Sequence, residues 1–335
     1  VSPEFLRFKP MTRTEAACAS GSVAIYDAIY GIESGRYKNV LVIGVEKMNL
    51  LSTKEMTLTL ACSSYFPEEG ANGMTFPGLF AEYAKGYQGQ YKLSDDELRK
   101  MLAHVGALCY LNAKENPLAH NQNGPSTAEE ILNLPDEGKG ANVMIAPPLR
   151  LHDCSLVTDG AAAVVLTTTE NAKKTSKKAV EIAGFGNAAE RLAISKRPNM
   201  YNLMAAKEAT KQAYAEAKIN ASDLDLAEVH DCFTINQILC TEALGLAKDG
   251  KAGYDYIEGK FTRDDKCPVN ISGGLKAKGH PVGATGVSMH ALVYKQLVGE
   301  GIGAKPTKGQ PEIGVTLNVG GSAVTNCVTV LRRIK

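Results

Sequence analysis

The sequence predicts an α/β fold of layered sheets with helices packed on them, and three observations carry the prediction. Short apolar or β-branched runs bounded by Gly, Asp or Asn recur at 40–45, 161–167, 180–184, 226–230, 313–318 and 324–331, the pattern of buried strands. Helix-like stretches lie between them, and alternation of the two argues for sheets sandwiched by helices. The third observation is a break in that alternation. From about 50 to 150 the chain is richer in Pro, Asn, Tyr and polar residues and its strand signal is poor, as in a long excursion that shapes a ligand site.

Each element has its own basis. Residues 21–34 place Val23, Tyr26, Ile29, Tyr30 and Ile32 along one side of a helix, and 40–45 (VLVIGV) read as the strand that follows. Pro67, Pro77, Pro117, Pro125 and Pro135 punctuate the excursion, leaving room for short helices at 78–87 and 95–112. Residues 201–218 are Ala-rich with Lys and Glu interspersed, and 284–298 carry Val287 and Leu292 before closing on Gln296-Leu297. Segments 17–45 and 272–317 each run turn, small-residue cluster, helix, Gly-containing break and strand, which points to an internal duplication. The second copy is preceded by a strand–helix–strand run over 180–270, the first only by residues 1–17, and the chain begins with Val. The expectation is therefore an incomplete N-terminal half, in a shortened form of a longer protein.

Composition excludes several classes. Lys and Arg number 37 against 36 Asp and Glu, and no basic run with interleaved aromatics marks a nucleic-acid face. The apolar runs at 40–45 and 161–166 are far shorter than the roughly 20 residues that cross a bilayer. No secretory leader is seen, and the Arg332-Arg333-Ile334-Lys335 end is not a peroxisomal tripeptide. The eight cysteines, Cys18, Cys62, Cys109, Cys154, Cys232, Cys240, Cys267 and Cys327, form no Cys-x-x-Cys pair and have no zinc-ligand His spacing beside them. Scattered thiols in an Ala/Gly/Val-rich chain are expected in a reducing compartment, here the cytoplasm, with no metal bound.

Four clusters carry chemistry. Cys18 stands in Ala16-Ala17-Cys18-Ala19-Ser20-Gly21, just before a helix start whose free N–H groups favour a thiolate; a buried structural Cys is the bland alternative. Gly279-His280-Pro281 lies in a Gly-rich loop before the next helix, where a His can act as a base or an oxyanion donor. That loop lacks the Gly-x-x-x-x-Gly-Lys-Ser/Thr spacing of a phosphate loop. In His230-Asp231-Cys232-Phe233, at a strand end, His230 and Cys232 share a face and Asp231 turns away. A metal half-site there has no matching second pair, so an acid/base role is preferred. Asn318-Val319-Gly320-Gly321 joins two apolar strands and offers N–H groups to an anion.

In this order, from about 12 to 331, the four clusters resemble the thiolases, and in particular the sterol-carrier-protein-type branch with its archaeal and bacterial relatives. The resemblance implies a thiolase fold: a duplicated five-layer α-β-α-β-α arrangement with a loop domain. It divides the chain into an N-terminal half at 1–49 and 155–172, a CoA-binding loop domain at 50–154, and a C-terminal half at 173–335. It further implies that Cys18 is the nucleophile that takes the acyl group, that His280 activates it and helps form an oxyanion hole, and that His230 holds the thioester oxygen. Gly320, with the N–H of Cys18, would form the second oxyanion hole. Common thiolases place a second cysteine where this chain has Asn318, and this branch supplies it as Cys232 of His-Asp-Cys-Phe. Met74, Phe76, Pro77 and Asn318 are candidates for lining the substrate end, with core packing at least as strong an alternative for the first three.

The implied activity is acyl transfer: CoA-dependent thiolytic cleavage of a 3-oxoacyl-CoA, or the reverse condensation, with CoA and acyl-CoA as substrates and no permanently bound cofactor. A homodimer or higher oligomer is implied, and some relatives act with a small zinc-ribbon/OB-fold partner. Two alternatives stay open. One is a ketoacyl-synthase-like condensing enzyme, with His230 and His280 flanking the cysteine; the other is a non-catalytic acyl-CoA-binding subunit of a complex.

Overall fold

A computed structural model describes residues 4–176 and 178–334. Helix α1 (Ser20–Glu33) leads into β1 (Asn39–Glu46), after which the chain leaves the sheet. The excursion holds α2 (Thr53–Ala61), α3 (Phe76–Tyr91), α4 (Asp95–Ala113), α5 (Ala128–Leu132) and a small ladder of β2 (Met144–Ala146) and β3 (Leu149–Arg150). The chain returns as β4 (Gly160–Thr167), α6 (Thr169–Thr175) and β5 (Val180–Ala189). Then come α7 (Met204–Ala217), β6 (Leu226–Val229), α8 (Thr234–Ala243), α9 (Ala252–Ile257), α10 (Thr285–Leu297), β7 (Ile313–Gly320) and β8 (Thr325–Arg333).

Two sheets carry the architecture. β1 and β4 pair antiparallel, Asn39 opposite Thr167 and Glu46 opposite Gly160. The larger sheet has the order β5-β8-β7-β6, with β6 and β7 parallel and the other pairs antiparallel. Helices α1 and α10 lie between the sheets: α10 packs on strands of both, and the Tyr26 hydroxyl of α1 reaches the Val328 carbonyl at 2.9 Å. On β5, Phe185 meets the Tyr26 ring with centroids 4.7 Å apart, while Gly184 and Gly186 face the backbone of α7. Strand alternation thus puts α1 on one face of the larger sheet and α7 on the other. The expected five-layer stack is present as four layers among the described residues. On the outer face of the β1–β4 ladder, Leu41, Ile43, Val45 and Val165 are exposed.

The excursion is more helical than its composition indicated. Ser94 starts α4 with a capping box, its hydroxyl accepting from Glu97 N at 3.2 Å and Glu97 accepting from Ser94 N at 2.8 Å. Phe80, Tyr83 and Tyr87 of α3, with Leu98, Met101, Leu102 and Val105 of α4, are buried in the main core. That core continues into α8, where Phe80 stacks on Phe233 at 4.8 Å, directly beside Cys232. No helix among the described residues is long and apolar enough to cross a membrane.

Candidate active site

The site forms where α1 and α10 begin. Ala17 has φ 51°, a left-handed turn uncommon for a residue with a Cβ, and it aims the chain so that Cys18 precedes the helix start at Ser20. The turn is held by Ser20, whose Oγ donates to Ala17 O at 2.6 Å and accepts from Ala16 N at 2.9 Å. On the other side, Gly279-His280-Pro281 runs beside Val157 in a short parallel bridge, and His280 N donates to Thr158 Oγ1 at 2.7 Å. Gly279, at φ 124°, takes a backbone shape that side chains rarely allow.

His230 follows β6 and donates its N–H to Leu317 O of β7 at 2.9 Å, which places it next to Asn318. Asp231 turns away, accepting from Leu275 N at 2.6 Å and Lys276 N at 3.1 Å, and so fixes the π-type turn Gly274–Lys278 ahead of His280. The His230 and His280 rings stand perpendicular with centroids 5.0 Å apart. One ligand-type atom from each of Cys18, His230 and His280 lies within 4.8 Å of the others, and all three residues are buried.

Burial governs the electrostatics. It pushes the Cys18 thiol up to about 12, against the lowering pull of the Gly321 and Cys18 amides; Glu46 and Glu15 push it up further. The expected thiolate-favouring effect of the helix start is therefore outweighed by loss of water. Burial, aided by the charge of Lys278, drives His280 down to about 3. His230 is held well below its ordinary range by burial, then by His280 and Lys278. Cys232 is raised well above the usual thiol range, first by burial and next by Cys18. The resting state is thus two thiols and two neutral imidazoles.

Cys18, His230, His280, Cys232, Asn318 and the Gly320-Gly321 turn belong to this one region. The amide that acts on the Cys18 thiol is that of Gly321, one residue beyond Gly320. Gly320 presses on the same loop from β7, where a Cβ would lie 2.3 Å from Ala16 O. Met74 is half-buried near the start of α3, where Phe76 packs against the main core. Sequence reasoning missed Ser22, Thr158, Thr285 and Lys278. Ser22 and Thr285 sit in small-residue runs that carry no motif of their own, although Thr285 lies one helical turn beyond Pro281, a spacing that lets its hydroxyl reach back. Cys18, His230 and His280 are also the group among the described residues with the spacing to hold a metal ion. One sulfur and two imidazoles would suit a soft divalent ion, and since Nδ1 of both rings is hydrogen-bonded to Thr285 and Asn318, only the Nε2 atoms are left to ligate one.

The chain is similar to known proteins. The thiolase N-terminal domain model matches residues 7–123, and the model described as thiolase C-terminal domain-like matches 186–333. Acetyl-CoA acetyltransferase of Methanothermobacter thermautotrophicus is 38% identical over 324 residues, 97% of this chain and 80% of that protein. Sterol carrier protein 2 of Oryctolagus cuniculus is 30% identical over 94% of this chain and 57% of its own length. A solved Ltp2-ChsH2(DUF35) aldolase superposes with a TM-score of 0.78 at 20% identity, covering 96% of this chain and 78% of that one. With the fold, the four loops and these relatives in agreement, the chain belongs to the thiolase family, in its sterol-carrier-protein-type branch, and is an acyltransferase of that family.

Proposed function

We propose that the protein cleaves a 3-oxoacyl-CoA with CoA, or runs the reverse condensation, through a thioester on Cys18. The observation that carries this reading is the convergence of Cys18 with two neutral imidazoles in one buried cluster. In the cleavage direction, His280 takes the proton of Cys18 as the sulfur attacks the 3-keto carbon. The Cα–Cβ bond breaks, and its electron pair passes to the α-carbon of the departing acyl-CoA. His230 donates a hydrogen bond to that thioester oxygen as it gains charge, and the thiol of Cys232 gives its proton to the α-carbon. The thiol of a second CoA then attacks the acyl-Cys18 thioester, passing its proton to Cys232, and the departing Cys18 sulfur takes back the proton held by His280. The amides of Cys18 and the Gly320-Gly321 turn would hold the oxyanion of each tetrahedral step.

The segment 50–154 is assigned to the CoA moiety and the acyl end, with Met74 and Phe76 as candidate contacts, and 1–49 with 155–172 and 173–335 to the two halves. A dimer and a small partner protein are part of the proposal, the latter supported by the neighbour solved with ChsH2(DUF35). The cytoplasm is the proposed location. The test is CoA-dependent cleavage of acetoacetyl-CoA and of bulkier 3-oxoacyl-CoAs by the chain and by Cys18→Ala and Cys232→Ala. Turnover by the parent and none by Cys18→Ala is expected. Retained activity in Cys18→Ala sinks the mechanism, and CoA binding without turnover by the parent favours a scaffold.

A further inference from the structure

Each of the two active-site histidines has one ring nitrogen tied to a partner that can play only one hydrogen-bonding role. His280 Nδ1 lies 2.7 Å from Thr285 Oγ1, and the Thr285 hydroxyl donates its single proton to Pro281 O at 3.0 Å. A hydroxyl so committed accepts from the ring. Nδ1 of His280 therefore carries the proton, and Nε2 is a bare lone pair.

His230 is the mirror case. Its Nδ1 lies 3.0 Å from Asn318 Nδ2, and the Asn318 Oδ1 accepts from Ser22 Oγ at 2.8 Å. The Asn318 amide stands with Oδ1 toward Ser22 and Nδ2 toward His230, and an amide nitrogen only donates. Nδ1 of His230 is therefore bare, and in the neutral ring Nε2 carries the proton. His230 and His280 are both buried, so neither ring gains a second proton to blur the distinction.

We propose that Thr285 and Asn318 are positioning residues that hold His280 and His230 in opposite neutral tautomers. His280 can then only receive a proton at Nε2, and His230 can only donate a hydrogen bond there. The two rings are not interchangeable, although they stand 5.0 Å apart and both border Cys18. The proposal also gives Asn318 a task of its own, at the position where other thiolases carry a cysteine. It rests on the reading of the site given above.

Two-bond 1H–15N correlations of protein labelled with 15N-histidine read the tautomers directly, in the absence of substrate. The six histidines are assigned by single replacements, which need only fold. Expected are a protonated Nδ1 in His280 and a protonated Nε2 in His230. The same tautomer in both rings, or an imidazolium in either, overturns the proposal. Kinetics give the second readout. Thr285→Val is expected to slow both alkylation of Cys18 by iodoacetamide and acetoacetyl-CoA cleavage, by about 10–100-fold, and Thr285→Ser to restore them. Asn318→Asp, whose carboxylate reverses the His230 tautomer, is expected to lower kcat more than it lowers the alkylation rate. Parallel losses in both variants, or no rescue by Ser, reduce Thr285 and Asn318 to packing. Opposite tautomers in a protein that cleaves no 3-oxoacyl-CoA would leave the proposal standing and remove the functional reading instead.

Discussion

Gly21 and Gly286 meet backbone to backbone where α1 and α10 begin: a Cβ on Gly21 would lie 2.7 Å from Val287 N, and one on Gly286 would lie 2.3 Å from Ser22 N. This contact brings the Cys18 loop and the His280 loop to one point, because each loop is the lead-in to one of the two helices. The absence of two side chains is thus what lets the nucleophile and its base share a cluster.

Gly286→Ala should therefore separate the two loops. Its methyl would also press on Asn318 Oδ1, 2.7 Å away. The expected cost is about 1–3 kcal/mol of stability, seen as a lower urea midpoint, together with a fall in kcat. Gly89→Ala, inside α3 with nothing within 4 Å of the added carbon, should instead stabilise by about 0.5–1 kcal/mol. Equal stability and full activity in Gly286→Ala would show that the contact positions nothing.

The neutral pair sets a pH dependence. Cys18 keeps its proton up to about 12 and His280 stays unprotonated down to about 3. Neither group changes state between about pH 5 and pH 9, so alkylation of Cys18 assisted by His280 should be nearly flat across that window. Peptide mapping after iodoacetamide treatment measures it, with the exposed Cys62 as an internal comparison. A tenfold rise per pH unit would mean that a free thiolate reacts without the histidine, and so would an unchanged rate in His280→Asn.

Buried histidines should make the fold acid-sensitive. His290, with Nδ1 2.7 Å from Gly286 O and Nε2 2.9 Å from Thr329 Oγ1, is driven by burial from 6.5 down to about 4. The unfolded chain binds its proton below 6.5 while the folded chain does not until about 4, so stability falls as pH drops through that interval. The loss from this residue is about 3 kcal/mol, and His280 acts in the same direction. Thermal melts at neutral pH and near pH 5 should show it, and His290→Gln should reduce the difference. A pH-independent midpoint would contradict the assignment of a buried neutral ring.

Asp231 should matter for structure more than for bond making. It accepts two backbone N–H groups of the turn before His280, and a Cβ on Gly274 would lie 2.1 Å from its Oδ2. Asp231→Ala leaves both donors buried without a partner, at a cost of about 2–5 kcal/mol, and lets the loop carrying His280 move. Asp231→Asn, which keeps one acceptor, should lose less in chemical denaturation. If the Ala variant is as stable as the parent, other groups hold the turn.

Much of this was legible in the residues. Periodicity placed α1, α7 and α10 to within a few positions, because each has one apolar side and a clear end, and the β-branched runs gave the strands of both sheets. The Ser94 to Glu97 capping box explains why even the polar excursion showed its longest helix. The outcome at Cys18 was less legible. A helix start was visible, yet the competing effect, burial of the thiol in a cluster with His230 and His280, depends on residues far away in sequence. The hydrogen bond of Asn318 was hidden for the same reason, since Ser22 and Asn318 meet across 296 positions, whereas the bonds of Thr285 to His280 and Pro281 are local. Local chemistry names a nucleophile, and tertiary contact brings its partners to it.

The central claim is that Cys18 carries the acyl group. Intact-protein and peptide mass spectrometry after brief mixing with acetoacetyl-CoA tests it most directly. The account predicts an acetyl mass on the peptide containing Cys18, discharged when CoA is added and missing in Cys18→Ala. An acetyl group found on Cys232 instead, or turnover with Cys18 unmodified throughout, would contradict it.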